Sequence, residues 1–203
     1  MKLYFSPGAC SLSPHIALRE AGLDFEIEQV NLATKKTKSG ADFNAINAKG
    51  YVPTLVLDDG EVLTEGPAIV QYIADLRPEA KLAPPAGTLA RVRLQEWLGF
   101  INSEIHKAFG PLFTPNASDE AKAAAKATLA KKYEFVEKAL TGKTFLTGDT
   151  FTVADAYLFT VTRWTGFTGV DLASYPQVQA FLERVGSRPA VKAALEAEAA
   201  AKK

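Results

Sequence analysis

A single cysteine among 203 residues, Cys10, leaves the chain no partner for an internal disulfide. That excludes a disulfide-stapled secreted scaffold, and a reducing, cytoplasmic location is expected. A C-x-x-C redox pair is missing too, since Ser13 stands where the second thiol would be. Neither sign of charge is in surplus. Lysine plus arginine and aspartate plus glutamate number 23 each, so bulk charge gives no support for a nucleic-acid or membrane-surface partner. Long apolar runs are also lacking. The opening MKLYFSPGAC meets proline within a few residues, unlike a signal peptide, and nothing further along has the length of a membrane span. What remains is the composition of an ordinary soluble protein, 47% apolar and 23% charged, long enough to bury a core.

The first third of the chain alternates strand-like and helix-like segments. Residues 2–5 form a strand candidate and residues 6–8 a turn. From Cys10 the pattern is helical, with Leu12, Ile16 and Leu23 in register, Pro14 tolerated in the first turn and Gly22 closing the helix. FEIEQV (25–30) alternates as a strand, the lysines at 35, 36 and 38 read as solvated loop charges or, for one of them, as the holder of a second ligand carboxylate, and 41–46 is loosely helical. YVPTLVL (51–57), the tight turn Asp58-Asp59-Gly60 and the return at 61–63 make a hairpin, followed by a helical stripe over 67–76. A parallel β-α-β crossover followed by β-β-α is a thioredoxin-like order.

Residues 78–88 (PEAKLAPPAGT) have a linker composition, and no strand pattern follows them. The spacing predicts one long helix over 88–113, a second over 119–140 behind an N-cap at Ser118, a buried helix over 153–164, and short helices over 177–185 and 190–197. The expected division is an α/β thioredoxin-like domain at 1–77, a linker at 78–88 and an all-α domain at 89–203. Thr152 and Asp155 have the form of a capping box, with Phe151 and Ala156 as its staple, so Asp155 is expected to anchor the buried helix rather than to catalyse.

Cys10 is expected at a helix start, where unpaired N–H groups favour a thiolate over a thiol. The alternative is a cysteine acting as a small apolar filler. Its flanks, Pro7-Gly8 and Ser11, place it at the C-terminal end of a strand, where open α/β sheets bind ligands. Without a second cysteine, a mixed disulfide at Cys10 must be resolved by an outside thiol. Pro53, opening a strand, is expected to follow a cis bond that turns the Val52 backbone toward an extended peptide; a plain edge-strand proline is the alternative. Thr64-Glu65-Gly66 opens a helix whose N–H groups suit a ligand carboxylate, with Glu65 either a ligand for an amine or a simple cap. On a helical wheel His106 lies with Gly99, Ser103 and Gly110, a small polar face that lines a cleft or meets water. His15 has no such company and reads as structural.

These features together resemble the cytosolic glutathione S-transferases. PGACS (7–11), V-P before a hairpin, T-E-G opening the next helix, SEIHK (103–107) and FTVADAYLFTVTRW (151–164) are similar to the bacterial beta class in particular. The resemblance covers essentially the whole chain. It implies that Cys10 contacts the glutathione sulfur, that Val52 beside cis-Pro53 pairs with the cysteinyl unit, that Glu65 and Gly66 hold the γ-glutamyl end, and that Lys35 holds the glycyl carboxylate. Ser11, Ser103 and Lys107 join the glutathione site by the same resemblance, and His106 reaches the sulfur. Phe113, Trp164 and Phe167 are the expected electrophile pocket.

The resemblance further implies a cytoplasmic homodimer that detoxifies hydrophobic aromatic or halogenated electrophiles, with glutathione as co-substrate and no permanent cofactor or metal. Cys10 either stabilises the glutathione thiolate or carries glutathione as a mixed disulfide, giving thiol-transferase chemistry. A reductive dehalogenase would differ mainly in the electrophile pocket, and a non-catalytic scaffold would show eroded glutathione contacts. Two positions depart from the family pattern. Gly99 stands where many members have asparagine, and Gly66 where some have serine.

Overall fold

The central strand, β1 (Lys2–Phe5), buries Leu3, Tyr4 and Phe5 together, as a strand covered on both faces must. In the computed structural model, which describes residues 1–201, it pairs in parallel with β2 (Glu26–Asn31) and antiparallel with β4 (Thr54–Val56). Edge strands β3 (Lys36–Thr37) and β5 (Val62–Thr64) complete the order β3-β2-β1-β4-β5 among the described residues. The segment expected as a charged loop thus supplies a strand: Thr37 turns inward opposite Val30 while Lys36 stays exposed.

The β1–β2 connection carries α1 (Leu12–Glu20), which begins two residues after Cys10 rather than at it. Gly22, at φ 61, ends the helix in a Schellman turn: Leu23 N–H donates to Leu18 O (3.2 Å) and Gly22 N–H to Arg19 O (3.1 Å). A short α2 (Phe43–Ile46) and α3 (Gly66–Leu76) follow. Tyr4, Val30, Phe43 and Val52 form one buried cluster with Ala9, Ile46 and Val56 packed against it. Each large side chain there contributes roughly 2 kcal/mol of burial.

The chain divides into two compact units that differ from the expected 1–77, 78–88 and 89–203. One is Met1–Ala83 together with the segment from Ser187 onward; the other is Pro84–Gly186. The C-terminal helix, α10 (Pro189–Ala201), buries Val191, Ala194 and Glu198 and packs on α1, so it belongs to the sheet-bearing unit. Its helical character was legible, but nothing in its sequence says which sheet or bundle its narrow apolar stripe will meet.

In the second unit α4 (Leu89–Phe100) starts at Thr88, whose hydroxyl accepts from Arg91 N–H at 3.2 Å. The single helix expected over 88–113 is interrupted. A π-helical turn, Ile101–His106, and a 3-10 turn, Lys107–Phe109, intervene before α5 (Gly110–Phe113). Ile101, Ile105 and Phe109 remain buried across the interruption. Then come α6 (Asp119–Leu140), capped by the Ser118 hydroxyl accepting from Ala121 N–H at 3.1 Å, and α7 (Val153–Thr162), in which every residue is buried. A short α8 (Thr165–Thr168) precedes α9 (Pro176–Gly186). Both first-turn N–H groups of Gln177 and Val178 donate to Glu137 of α6 at 3.0 Å, a carboxylate placed at the positive end of a helix. No helix among the described residues is long and apolar enough to cross a membrane.

Candidate active site

Cys10 lies half-buried in the turn between β1 and α1, and its Sγ–H donates to the backbone carbonyl of Val52 at 3.3 Å. The Val52-Pro53 peptide bond is cis, as the strand-opening proline led us to expect. The segment is pinned from behind by the buried Asn47, whose amide donates to Tyr51 O (3.0 Å) and Thr54 Oγ1 (2.9 Å). Thr54 Oγ1 in turn donates to Tyr51 O at 2.9 Å. Thiol and carbonyl are thereby brought together from residues 42 apart in sequence.

The loop bearing Cys10 is clamped twice. Ser11 Oγ accepts from Ser6 N–H (3.1 Å) and donates to Ser6 O (3.3 Å), so this fully buried hydroxyl staples the loop to itself instead of facing a ligand. Glu198 of α10 accepts from Gly8 N–H at 2.8 Å and from His15 Nδ1 at 3.1 Å, while His15 Nε2 accepts from Arg19 Nε at 3.0 Å. His15 is therefore structural, with both ring nitrogens spoken for.

At the start of α3 Glu65 has φ 68 and ψ 109, a conformation a residue with a Cβ keeps only when its surroundings enforce it. Its carbonyl accepts from Ala68 and Ile69 N–H (3.0 Å each), and its exposed carboxylate pairs with Lys49 Nζ at 2.7 Å. Pro67 has no N–H, so the anion-binding row expected here narrows to one first-turn donor, Gly66 N–H. A Cβ on Gly66 would meet only Pro53 Cγ at 3.7 Å, so a serine there would fit. Lys35, at φ 54, is not the solvated loop charge expected of a lysine run. Its ammonium donates to Gly50 O at 2.9 Å and lies 5.9 Å from the Tyr51 ring centroid, leaving two of its three protons for a ligand.

In the helical unit the π turn changes what the wheel showed. Gly99, Ser103 and Gly110 are exposed, with Ser103 Oγ donating back to Gly99 O at 3.0 Å, whereas His106 is half-buried. Its Nδ1 lies 2.7 Å from the Tyr157 hydroxyl, which donates to Asn102 Oδ1 at 3.0 Å. Burial, reinforced by the charge of the neighbouring Lys107, pulls the imidazole from 6.5 down to about 4, so it is neutral at physiological pH. The Trp164 ring stands edge-on to His106 at 4.9 Å and to Phe113 at 5.2 Å, and Phe113 meets Phe167 at 6.1 Å. The three expected pocket aromatics are thus one contiguous group. Trp164 is buried, while Phe113 and Phe167 are 47% and 68% exposed, available to an apolar ligand. Lys107 is exposed.

Comparison with known proteins adds to this geometry. Residues 8–76 match the model of the glutathione S-transferase N-terminal domain and residues 100–189 that of the glutathione S-transferase C-terminal domain. The chain is 46% identical to glutathione S-transferase GstA of Escherichia coli O157:H7 over 98% of both chains. This chain belongs to the glutathione S-transferase family. A solved sphingomonad glutathione S-transferase complexed with glutathione superposes with a TM-score of 0.95 at 52% identity, over 98% of this chain and 99% of that one. The bacterial beta-class glutathione S-transferase of Sphingomonas chungbukensis gives the same TM-score and identity over 98% of each chain, which agrees with the beta-class motifs.

As a glutathione transferase the protein has glutathione as co-substrate, and its two units carry the two halves of the family fold. Sequence reasoning missed Asn47, Asn102, Tyr157 and Glu198, each of which orients a candidate residue. Only Asn47 left a signal, in the turn Asn47–Gly50. Glu198 in an alanine-rich helix reads as a solvated charge until the loop it holds is seen. Replacing it with alanine removes the carboxylate that accepts from Gly8 N–H and from the buried His15 Nδ1, and Glu198→Ala is expected to lower stability by about 2 kcal/mol. Urea unfolding monitored by tryptophan fluorescence checks this, and hydrogen exchange at residues 8–12 should quicken with it.

Proposed function

We propose that the Cys10–Val52 corner binds glutathione in extended form, its cysteinyl amide pairing with the Val52 backbone and its sulfur beside Cys10. In this reading Gly66 N–H and Glu65 take the α-carboxylate and the α-amine of the γ-glutamyl end, with Lys49 neutralising Glu65 in its absence. Lys35 takes the glycyl carboxylate. Ser103 and Lys107 add polar contacts, and Ser11 acts through the loop it staples. The helical unit contributes His106 to the reacting thiol and Phe113, Trp164 and Phe167 to a hydrophobic, aromatic or halogenated electrophile. The observation that carries the reading is the Cys10 Sγ–H bond to Val52 O, which sets a thiol beside a backbone edge suited to a peptide.

In conjugation the S–H bond of glutathione breaks with its proton passing to His106, the sulfur pair attacks the electrophilic carbon, and the carbon–halogen bond breaks to release halide. Holding both reactants in line supplies much of the rate. A second route uses Cys10 itself. Its thiolate attacks one sulfur of oxidised glutathione, forming a mixed disulfide and expelling a glutathione thiolate, and a second glutathione thiolate then resolves it. The protein acts in the cytoplasm, as its single thiol suggests, and as a homodimer, which sedimentation at two protomer masses would establish.

Calorimetry with glutathione, followed by turnover of a chlorinated nitroaromatic, tests the reading. Binding with conjugate formation is expected. Absence of both would favour a non-catalytic scaffold that kept the fold.

A further inference from the structure

Two residues of the π-helical turn, Asn102 and His106, converge on one hydroxyl of α7, that of Tyr157. The hydroxyl has a single proton, and it goes to Asn102 Oδ1, an amide oxygen that can only accept. Toward His106 the phenol therefore offers a lone pair, and the 2.7 Å contact closes only if Nδ1 carries a proton. A neutral imidazole has one N–H, so Nε2 is left with a bare lone pair. We propose that Asn102 and Tyr157 are positioning residues that lock His106 in its Nδ1–H tautomer, making Nε2 a proton acceptor in the transferase reaction.

The lock rests on the reading above, in which His106 serves the substrate thiol, and it sharpens that role. An Nε2 lone pair takes the proton from the glutathione S–H as the sulfur–carbon bond forms and the leaving group departs; an Nε2–H would instead donate to a thiolate already formed. The surroundings support a fixed tautomer. Tyr157 is 3% exposed, so water does not replace its bonds, and the Trp164 edge at 4.9 Å restricts ring rotation. Tyr157 is bonded to His106, and the charge of Lys107 together with burial keeps the ring neutral, so a tautomer rather than a charge is at stake.

The test is the 15N spectrum of the two imidazoles, the chain having only two histidines, with His106→Gln used for assignment. Wild type should show a protonated Nδ1 and a bare Nε2 at residue 106. Tyr157→Phe should release the tautomer toward Nε2–H and lower kcat about tenfold, with KM for glutathione within about twofold. Asn102→Ala should invert it, since the freed phenol proton then turns to Nδ1, and Asn102→Asp should restore Nδ1–H by restoring an acceptor. A bare Nδ1 in wild type, or a tautomer indifferent to both Tyr157→Phe and Asn102→Ala, would overturn the proposal. The spectra are taken without glutathione, so a failed lock is distinguished from a failed glutathione reading, which shows in binding and turnover instead.

Discussion

Asp155→Ala should destabilise the protein by about 4 kcal/mol, equivalent to a melting point lower by roughly 10 °C for a chain of this size. Asp155 is fully buried at the start of α7, the helix around which the second unit packs. Its Oδ1 accepts from Leu146 N–H at 2.9 Å, and its Oδ2 accepts from Thr152 N–H and Thr152 Oγ1, both at 2.8 Å. Alanine leaves three buried donors without an acceptor, and each costs roughly 1–3 kcal/mol, partly recovered by local relaxation. Burial pushes the carboxyl up from 3.8 to about 6 while the three donors pull it back, so at pH 7.5 it is the carboxylate those donors need. Asp155→Asn keeps one acceptor oxygen and should lose about half as much. Calorimetric melting of the three proteins at pH 7.5 decides the matter, and an alanine variant melting with wild type would refute this anchoring role.

On the function proposed above, His106→Gln carries the largest expected loss of activity, about a hundredfold in kcat, because it removes the proposed proton acceptor and no residue proposed to bind glutathione. Glutathione affinity should change little. The same residue has a signature in stability. Its folded value of about 4 lies below the unfolded 6.5, so the stability tied to the neutral ring is fully present above pH 6.5 and is lost as the pH falls toward 4. Between those limits wild type should lose about 3 kcal/mol relative to His106→Gln, which has no such group. Urea midpoints of both proteins at pH 7 and pH 4 measure this directly; parallel midpoints would show that the ring titrates normally.

How far the sequence could be read follows from the range of the interactions concerned. Local signals were sufficient for β1, the hairpin of β4 and β5, the Gly22 end of α1 and the Ser118 cap of α6, each being fixed by residues within a few positions of one another. Cys10 and Val52 were legible as a pair because a strand-to-helix turn and a strand-opening proline each have a distinctive local form. The π turn at Ile101–His106 had no such signature. Its apolar residues keep a helical spacing, so the periodicity ran straight through and left His106 on a polar face, when in fact it packs on Tyr157 and Trp164. The return of α10 to the first unit and the part played by Glu198 depend on contacts across 190 residues, beyond any local pattern. The restraint on Lys35 was hidden for a related reason: it comes from Gly50 and Tyr51, in another loop.

The thiol-transfer route proposed for the first unit turns on Cys10 sitting at the glutathione sulfur and carrying glutathione there. Whole-protein mass spectrometry after incubation with oxidised glutathione addresses that placement most directly, with Cys10→Ser as the control. The expected result is a single glutathione adduct on wild type, removed by a reducing thiol, mapped to the peptide containing Cys10 and absent from Cys10→Ser. A wild-type mass that stays unmodified while glutathione is bound would contradict a carrier thiol at that position.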